Sequence, residues 1–263
     1  MEPMQARATS PARPMASGPR PRFLAAGDTA LVVEFGDRVD AAISGLVLAL
    51  ASRLAEAAIP GVVEAVPTFR SLMVHYDPLR LPQADLRRRL EPLLEGLVAR
   101  ESAGRRWRIP ACYDESVALD LAEVAQRVGL GVSDVVARHS ATTFHVYMMG
   151  FLPGFPYLGG LPEELELPRR ENPRIRVPAG SVAVAMAMTC IYTLESPGGW
   201  HVLARTPAPL WDMRRSPPAL LAAGDTVRFA PVSLREYERM LAQAAAGELR
   251  LEPEELPARG RTA

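Results

Sequence analysis

The sequence predicts an α+β chain in two parts, a small α+β N-terminal domain followed by a β-barrel C-terminal domain. Residues 22–100 interleave short apolar runs of strand type with two stretches of helical periodicity. From Thr142 on, short β-rich runs alternate with Pro/Gly loops, the spacing of a closed or nearly closed barrel. Between the two parts lies Glu101–Arg106, polar and containing Gly104. The expected division is a disordered tail over 1–21, the α+β domain over 22–103, the barrel over 104–245 and a mobile tail over 246–263. A chain of 263 residues with 48% hydrophobic content can supply two such cores.

Met1–Arg22 is rich in Pro, Ala, Ser and Arg and lacks the apolar stretch of a secretory signal, with Met4 and Met15 as alternative starts. Phe23–Phe35, turning at Gly27-Asp28, suits a strand pair or a bent strand. Ile43, Leu46, Val47, Leu50 and Leu54 then recur at helical spacing behind the N-cap candidate Asp40, and Pro60-Gly61 closes that helix. Val62–Val66 and Ser71–Tyr76 are strands, the second alternating Leu72, Val74 and Tyr76 with polar neighbours. A second amphipathic helix is expected over Pro82–Arg100, its Arg87-Arg88-Arg89 run forming a solvated face. In the C-terminal part, Trp107–Tyr113 is strand-like and Asp120–Val128 and Ser133–His139 are short helices. Strands follow at Thr143–Met149, Ser181–Leu194, Trp200–Ala204 and Thr226–Phe229, and Ser233–Gln243 is a last helix.

Composition excludes several chemistries. Acidic and basic side chains balance at thirty each, so no general positive field exists to hold nucleic acid. Every basic residue except the histidines is arginine; with no lysine there is no phosphate-loop lysine and no Schiff base. Any phosphate or carboxylate must meet arginine forks or backbone amides. Cys112 and Cys190 sit in no metal or redox spacing and read as reduced, buried thiols. The four histidines lack metal-ligand spacing, so no metal site is expected. Ile43–Ala51 is too short to span a bilayer, and the cytoplasm is the expected location.

Rigid loops concentrate between Tyr147 and Thr206, where Pro-Gly, Phe-Pro and Gly-Gly steps dictate backbone shape. His139, ending a predicted helix just before this stretch, is the general acid/base candidate; the alternative is a histidine meeting the helix dipole. Arg174, pinned between Pro173 and Pro178, and Arg205 are the candidates for gripping an anion, whereas Arg169, Arg170 and Arg176 read as solvated charge. Ser196-Pro-Gly-Gly-Trp200 offers backbone amides for an anion nest beside an aromatic wall; the alternative is a tight hairpin with Trp200 as a core plug. Ser181 follows Gly180 without the pattern of a nucleophile elbow.

These residues resemble a known family, that of the 5-oxoprolinase B subunit, also called allophanate hydrolase subunit 1 and related to the kinase inhibitor KipI. The resemblance rests on His139-Ser140, Gly150-Phe151, Pro153-Gly-Phe-Pro-Tyr-Leu-Gly159, Pro168-Arg-Arg170, Pro173-Arg174, Val177-Pro-Ala-Gly-Ser181, Tyr192, Ser196-Pro-Gly-Gly-Trp200 and Arg205-Thr-Pro207. It implies a cyclophilin-like barrel and membership of an ATP-dependent complex that opens 5-oxoproline to glutamate, inactive without its partners. Those partners are a homologous C subunit, of the allophanate hydrolase subunit 2 type, and an A subunit of the LamB/YcsF type. ATP is used by the complex, this chain having no phosphate-loop motif. The resemblance also casts His139, Arg174 and Arg205 as catalytic, with Ser181, Thr189, Tyr192, Gly198, Gly199 and Trp200 as substrate contacts.

After Ser181 the family typically reads Ala-Gly-x-Gln-Thr-Gly-Ile-Tyr-Pro. Here Met186 and Cys190 replace the glycines, Met188 the glutamine and Thr193 the proline. A thioether neither donates nor accepts as an amide does. Two alternatives therefore stand beside the first reading: a KipI-type regulatory module with a methionine-rich surface, and a carboxyltransferase-type component acting on another amide or urea-like substrate.

Overall fold

The computed structural model describes residues 21–99 and 104–254, so the tail expected over 1–21 lies outside the described residues but for Pro21. The chain divides into two compact units, Met1–Ser102 and Ala103–Ala263.

In the first unit β1 (Arg22–Ala25) and β2 (Ala30–Glu34) form a hairpin through Gly27, whose φ of 67° needs no Cβ. With β3 (Val62–Pro67) and β4 (Ser71–Tyr76) they make an antiparallel sheet in the order β1-β2-β4-β3. Leu31 and Val33 of β2 and Leu72, Val74 and Tyr76 of β4 turn inward by strand alternation. They pack on Val47, Leu50 and Leu54 of α1 (Ala41–Ala57) and Leu86 and Leu90 of α2 (Gln83–Leu94). Asp40 caps α1, accepting from the Ala42 and Ile43 amides at 2.8 and 3.1 Å. Helix α2 stops short of the expected Arg100. Gly96 turns left-handed, and the guanidinium of Arg53 on α1 takes the carbonyls of Leu93, Glu95 and Gly96. Arg87 and Arg88 pair with Glu91 and Asp85 on the solvent face.

The second unit is a closed barrel of seven strands. Its members are β5 (Arg106–Cys112), β6 (Phe144–Met149), β7 (Pro156–Gly159), β9 (Ser181–Ala185), β10 (Met188–Ile191), β12 (His201–Arg205) and β13 (Thr226–Val232), closed in the order β10-β7-β6-β13-β5-β12-β9. Strands β5 and β13 run parallel along their whole length, Arg106 beside Thr226 through Cys112 beside Val232. Buried Asp225 fixes the turn entering β13, accepting from the Arg105 and Ala222 amides and from Trp107 Nε1. Helices α3 (Leu121–Val128) and α4 (Val132–Ala141) bury Leu121, Val124 and Val135 in the same core as Ile109, Phe144, Val184, Leu203 and Phe229.

Where a single strand run was expected over Ser181–Leu194, a hairpin turns at Met186, whose φ is 53°. The opposite face of β9, β10 and β12 carries Ala183, Ala185, Cys190 and Val202, with Tyr192 following just after β10. These form a second apolar cluster with Phe155, Val177 and Trp200. A ribbon of β8 (Arg174–Val177) and β11 (Ser196–Gly198) flanks it. Helix α5 (Leu234–Ala246) starts at the Ser233 cap and ends at left-handed Gly247. The tail expected to be mobile from 246 is instead held against the barrel over its described part. Leu251 packs on the core, and the Glu254 amide bonds to the Arg106 carbonyl at 2.7 Å.

Candidate functional site

Asp120, at the head of α3, is only 1% exposed and organises one edge of the barrel. Its backbone amide donates to Val202 and its carboxylate accepts from the Val202 amide at 2.7 Å, which ties the helix to β12. The same carboxylate takes both terminal nitrogens of Arg174, at 2.7 and 2.6 Å, and Nη1 of Arg170 at 2.9 Å. One buried anion thus fixes two arginines and the Pro168–Arg174 loop between them. Arg174 is therefore not free to clamp a ligand. Its fork is occupied by protein, which corrects the role expected for it.

Next to this loop the aromatic cluster opens in a cavity of about 210 Å³. Phe151, Phe155, Tyr157, Tyr192 and Trp200 form its walls, with Gly198, Gly199, Arg169 and Arg170 around them. Gly198 has a steric reason for being glycine: a Cβ there would meet Tyr192 Oη at 2.2 Å. Neither Gly198 nor Gly199 has positive φ, so they do not form a nest of alternating handedness, and the Gly199 carbonyl is taken by the Arg170 amide. Burial pushes the Tyr192 phenol well above its ordinary range, so it stays protonated. Arg169 lies with its guanidinium 6.0 Å from the Trp200 ring centre and has no carboxylate partner among the described residues. It was read from sequence as solvated charge. Its adjacency to Trp200 depends on the β8–β11 ribbon and on the Asp120 anchor, neither visible in the local sequence.

The other expected site residues lie elsewhere. His139 of α4 is fully buried, 4.9 Å from Phe229 and 5.1 Å from Phe144 between ring centres. Its Nδ1 meets the Tyr113 hydroxyl at 2.7 Å and its Nε2 meets Thr189 Oγ1 at 3.3 Å. Desolvation lowers its pKa to about 3, so at neutral pH it is an uncharged link in a buried chain of hydroxyls. His139 and Thr189 are thus brought together, but inside the barrel core and away from the aromatic cavity. Ser181 and Arg205 sit opposite each other on β9 and β12. Arg205 donates to the Ala179 carbonyl and lies over Tyr237 of α5; Ser181 Oγ, Arg205 Nε and Tyr237 Oη are buried without partners.

The departures after Ser181 also find places. Met186 is exposed, but Met188 is half-buried against the aromatic cluster and Cys190 is fully buried in it, so no methionine-rich surface forms. Thr193 donates to the Pro153 carbonyl at 2.7 Å, a bond no proline could make. A larger cavity of about 480 Å³ in the first unit is flanked by Phe23, Phe35, Arg87, Glu91 and Glu95, with Arg87 paired to Glu91. No helix among the described residues is long and apolar enough to cross a membrane.

Fold and site define a two-unit α+β protein whose closed barrel carries a small aromatic cavity flanked by arginine. Residues 21–221 match the carboxyltransferase domain, subdomain C and D, and the chain belongs to that family. It is 37% identical over 222 residues to a Bacillus subtilis protein named as the B subunit of 5-oxoprolinase, covering 80% of this chain and 92% of that one. To the protein of the same name from Escherichia coli O157:H7 it is 41% identical over 215 residues, covering 81% and 96%. The crystal structure of TTHA0988 superposes with a TM-score of 0.70 at 41% identity, covering 77% of this chain and 40% of that longer one.

Proposed function

We propose that this chain is one member of an ATP-dependent 5-oxoprolinase-type complex of the cytoplasm, opening a cyclic amide to an amino acid at a site completed by other subunits. The observation that carries this reading is the 41% identity extending over 96% of a protein named as the B subunit of 5-oxoprolinase. The cavity supports it. Aromatic walls in a volume of about 210 Å³ suit a small flat ring, Arg169 offers a cation for its carboxylate, and protonated Tyr192 offers a donor. With Arg174 bound to Asp120, the anion-gripping role passes to Arg169. Lysine being absent, ATP phosphates are assigned to the other subunits or to arginine.

The test is reconstitution with a homologous C subunit and a LamB/YcsF-type A subunit. The expected result is release of glutamate and ADP from 5-oxoproline, falling about tenfold or more in Arg169→Gln. Absence of turnover with all three proteins folded overturns the reading. One observation favours a second: Met188, standing where the typical family pattern has glutamine, packs against the aromatic cluster. Turnover of a different amide or urea-like compound, with 5-oxoproline inert, establishes that alternative.

A further inference from the structure

The turn that brings Phe151 to the aromatic cavity is strained. Among the described residues, Ala58, Phe151 and Met186 have positive φ without being glycine. Ala58 ends a helix and Met186 turns a hairpin, places where such backbone serves the path of the chain itself. Phe151 does neither. Its φ is 70°, and the Leu152 amide donates across it to the Gly150 carbonyl at 2.9 Å, which makes a γ-turn of the rare, strained hand. For an aromatic residue this conformation is costly and persists only where the surroundings impose it. Here they do. The Gly150 amide donates to the Phe155 carbonyl at 3.0 Å, the Phe155 amide to the Leu152 carbonyl at 3.1 Å, and Thr193 Oγ1 to the Pro153 carbonyl at 2.7 Å.

What the strain secures is the direction of one ring. Leu152 and Phe155 of the same turn pack into the aromatic cluster, whereas Phe151 is 65% exposed, so its burial contributes little to stability. Its ring meets that of Phe155 edge-to-face, 5.4 Å between centres. Two residues of the turn thus anchor it, and a third holds an open aromatic face at the rim of the cavity walled by Tyr157, Tyr192 and Trp200. An exposed ring on a strained, tightly bonded turn answers to something outside the chain. Because this ring is part of the cavity wall, that something is what the cavity holds.

We propose that Phe151 selects for a flat ring in this cavity, its exposed face covering the amide ring of the bound substrate while Arg169 holds the carboxylate at the ring's edge. The proposal rests on the reading of this cavity as the substrate site. It adds the residue that distinguishes a cyclic amide from an open-chain amide of the same charge.

Calorimetric titration of the full chain, alone and assembled with the C and A subunits, tests it. The probes are L-5-oxoproline and N-acetyl-L-alanine, which carries the same amide and carboxylate without the ring. The cyclic compound is expected to bind about tenfold more tightly. That preference is expected to fall to about twofold or less in Phe151→Gly and Phe151→Leu, and to be kept in Phe151→Tyr, which retains a flat face. Thermal unfolding reads the strain: Phe151→Gly leaves the midpoint of the isolated chain unchanged or raises it by up to about 4 °C, a left-handed turn suiting glycine. An undiminished ring preference in Phe151→Gly overturns the proposal, as does the lack of saturable 5-oxoproline binding in both settings. A midpoint lowered by more than about 5 °C overturns it too, marking the ring as part of the core. So does a Phe151→Gly chain that binds 5-oxoproline as the wild type does but fails to assemble, which marks a protein contact. Because binding is read, a complex that binds 5-oxoproline without opening it refutes the proposed reaction and leaves the role of Phe151 standing. Turnover with the ring preference intact in Phe151→Gly does the reverse.

Discussion

Arg174 and Asp120 form a two-pronged ion pair, Nη1 to Oδ2 at 2.7 Å and Nη2 to Oδ1 at 2.6 Å, with the carboxylate buried. Such a pair resists loss of either partner more than its net contribution suggests, because the remaining charge is left buried. Asp120→Ala removes the acceptor shared by Arg170, Arg174 and the Val202 amide, and is expected to destabilise the barrel unit by about 3–5 kcal/mol. Arg174→Ala leaves Asp120 with Arg170 and the Val202 amide, and about 2 kcal/mol is expected. Arg174→Lys restores charge but not the fork, so it recovers only part of the loss. Urea denaturation followed by Trp fluorescence measures all three. Wild-type stability in Asp120→Ala removes the anchor role.

Burial of neutral His139 makes stability depend on pH with a definite sign. Its folded pKa is about 3 against an ordinary value near 6.5, so between those values the unfolded chain binds a proton that the folded one refuses. Stability is therefore complete above about pH 6.5 and falls as the pH is lowered through that window. One group shifted this far accounts for about 2–3 kcal/mol between pH 6.5 and 4.5. His145, also lowered by burial, acts in the same direction. His139→Gln is expected to flatten the pH dependence of the unfolding free energy by that amount while lowering stability at pH 7, since Tyr113 and Thr189 lose a matched partner. An imidazole NMR titration of His139 near pH 6.5 in the folded protein contradicts the assignment.

Much of the fold was legible because it rests on local signals. Asp40 before an apolar helical face and the Leu72-Val74-Tyr76 alternation each act within a few residues. Strands β7, β8 and β11 were not legible. They are three or four residues long and exist through pairing with distant partners, and β7 and β11 also carry Pro and Gly. The site failed in the same way. Proline on both sides of Arg174 correctly signalled a fixed arginine, but what it grips is an aspartate fifty-four residues earlier. His139 looked accessible at a helix end because sequence shows that a helix stops, not which face enters a barrel. Gly198 and Trp200 line the aromatic cavity from one short local segment, whereas Arg169 gained its position from tertiary contacts.

Met186 gives a test of backbone strain. At φ 53° and 59% exposed, it occupies a hairpin position that glycine would take without strain. A left-handed non-glycine residue costs about 1–2 kcal/mol, against which glycine adds about 0.5–1 kcal/mol of unfolded-chain entropy. Met186→Gly is expected to raise stability by up to about 1 kcal/mol, and Met186→Ile to lower it, a branched Cβ being least tolerant there. Thermal unfolding of the two variants gives the comparison, and equal midpoints discount strain at this turn.

The contact between Gly198 and Tyr192 links stability to the aromatic cavity. A Cβ at 198 meets Oη at 2.2 Å and Cζ at 2.7 Å, and Tyr192 is itself packed between Phe155 and the β11 ribbon. Gly198→Ala must therefore displace the phenol, at an expected cost of about 1–3 kcal/mol for overpacking. The displaced ring enters the cavity, so turnover by the assembled complex is expected to fall more steeply than the folded fraction does. Removing the obstacle separates the two effects: in Gly198→Ala combined with Tyr192→Leu, stability recovers in part relative to the sum of the single changes, while activity stays low because the phenol donor is gone. Measured energies that simply add leave the two residues uncoupled, and the steric account of Gly198 fails.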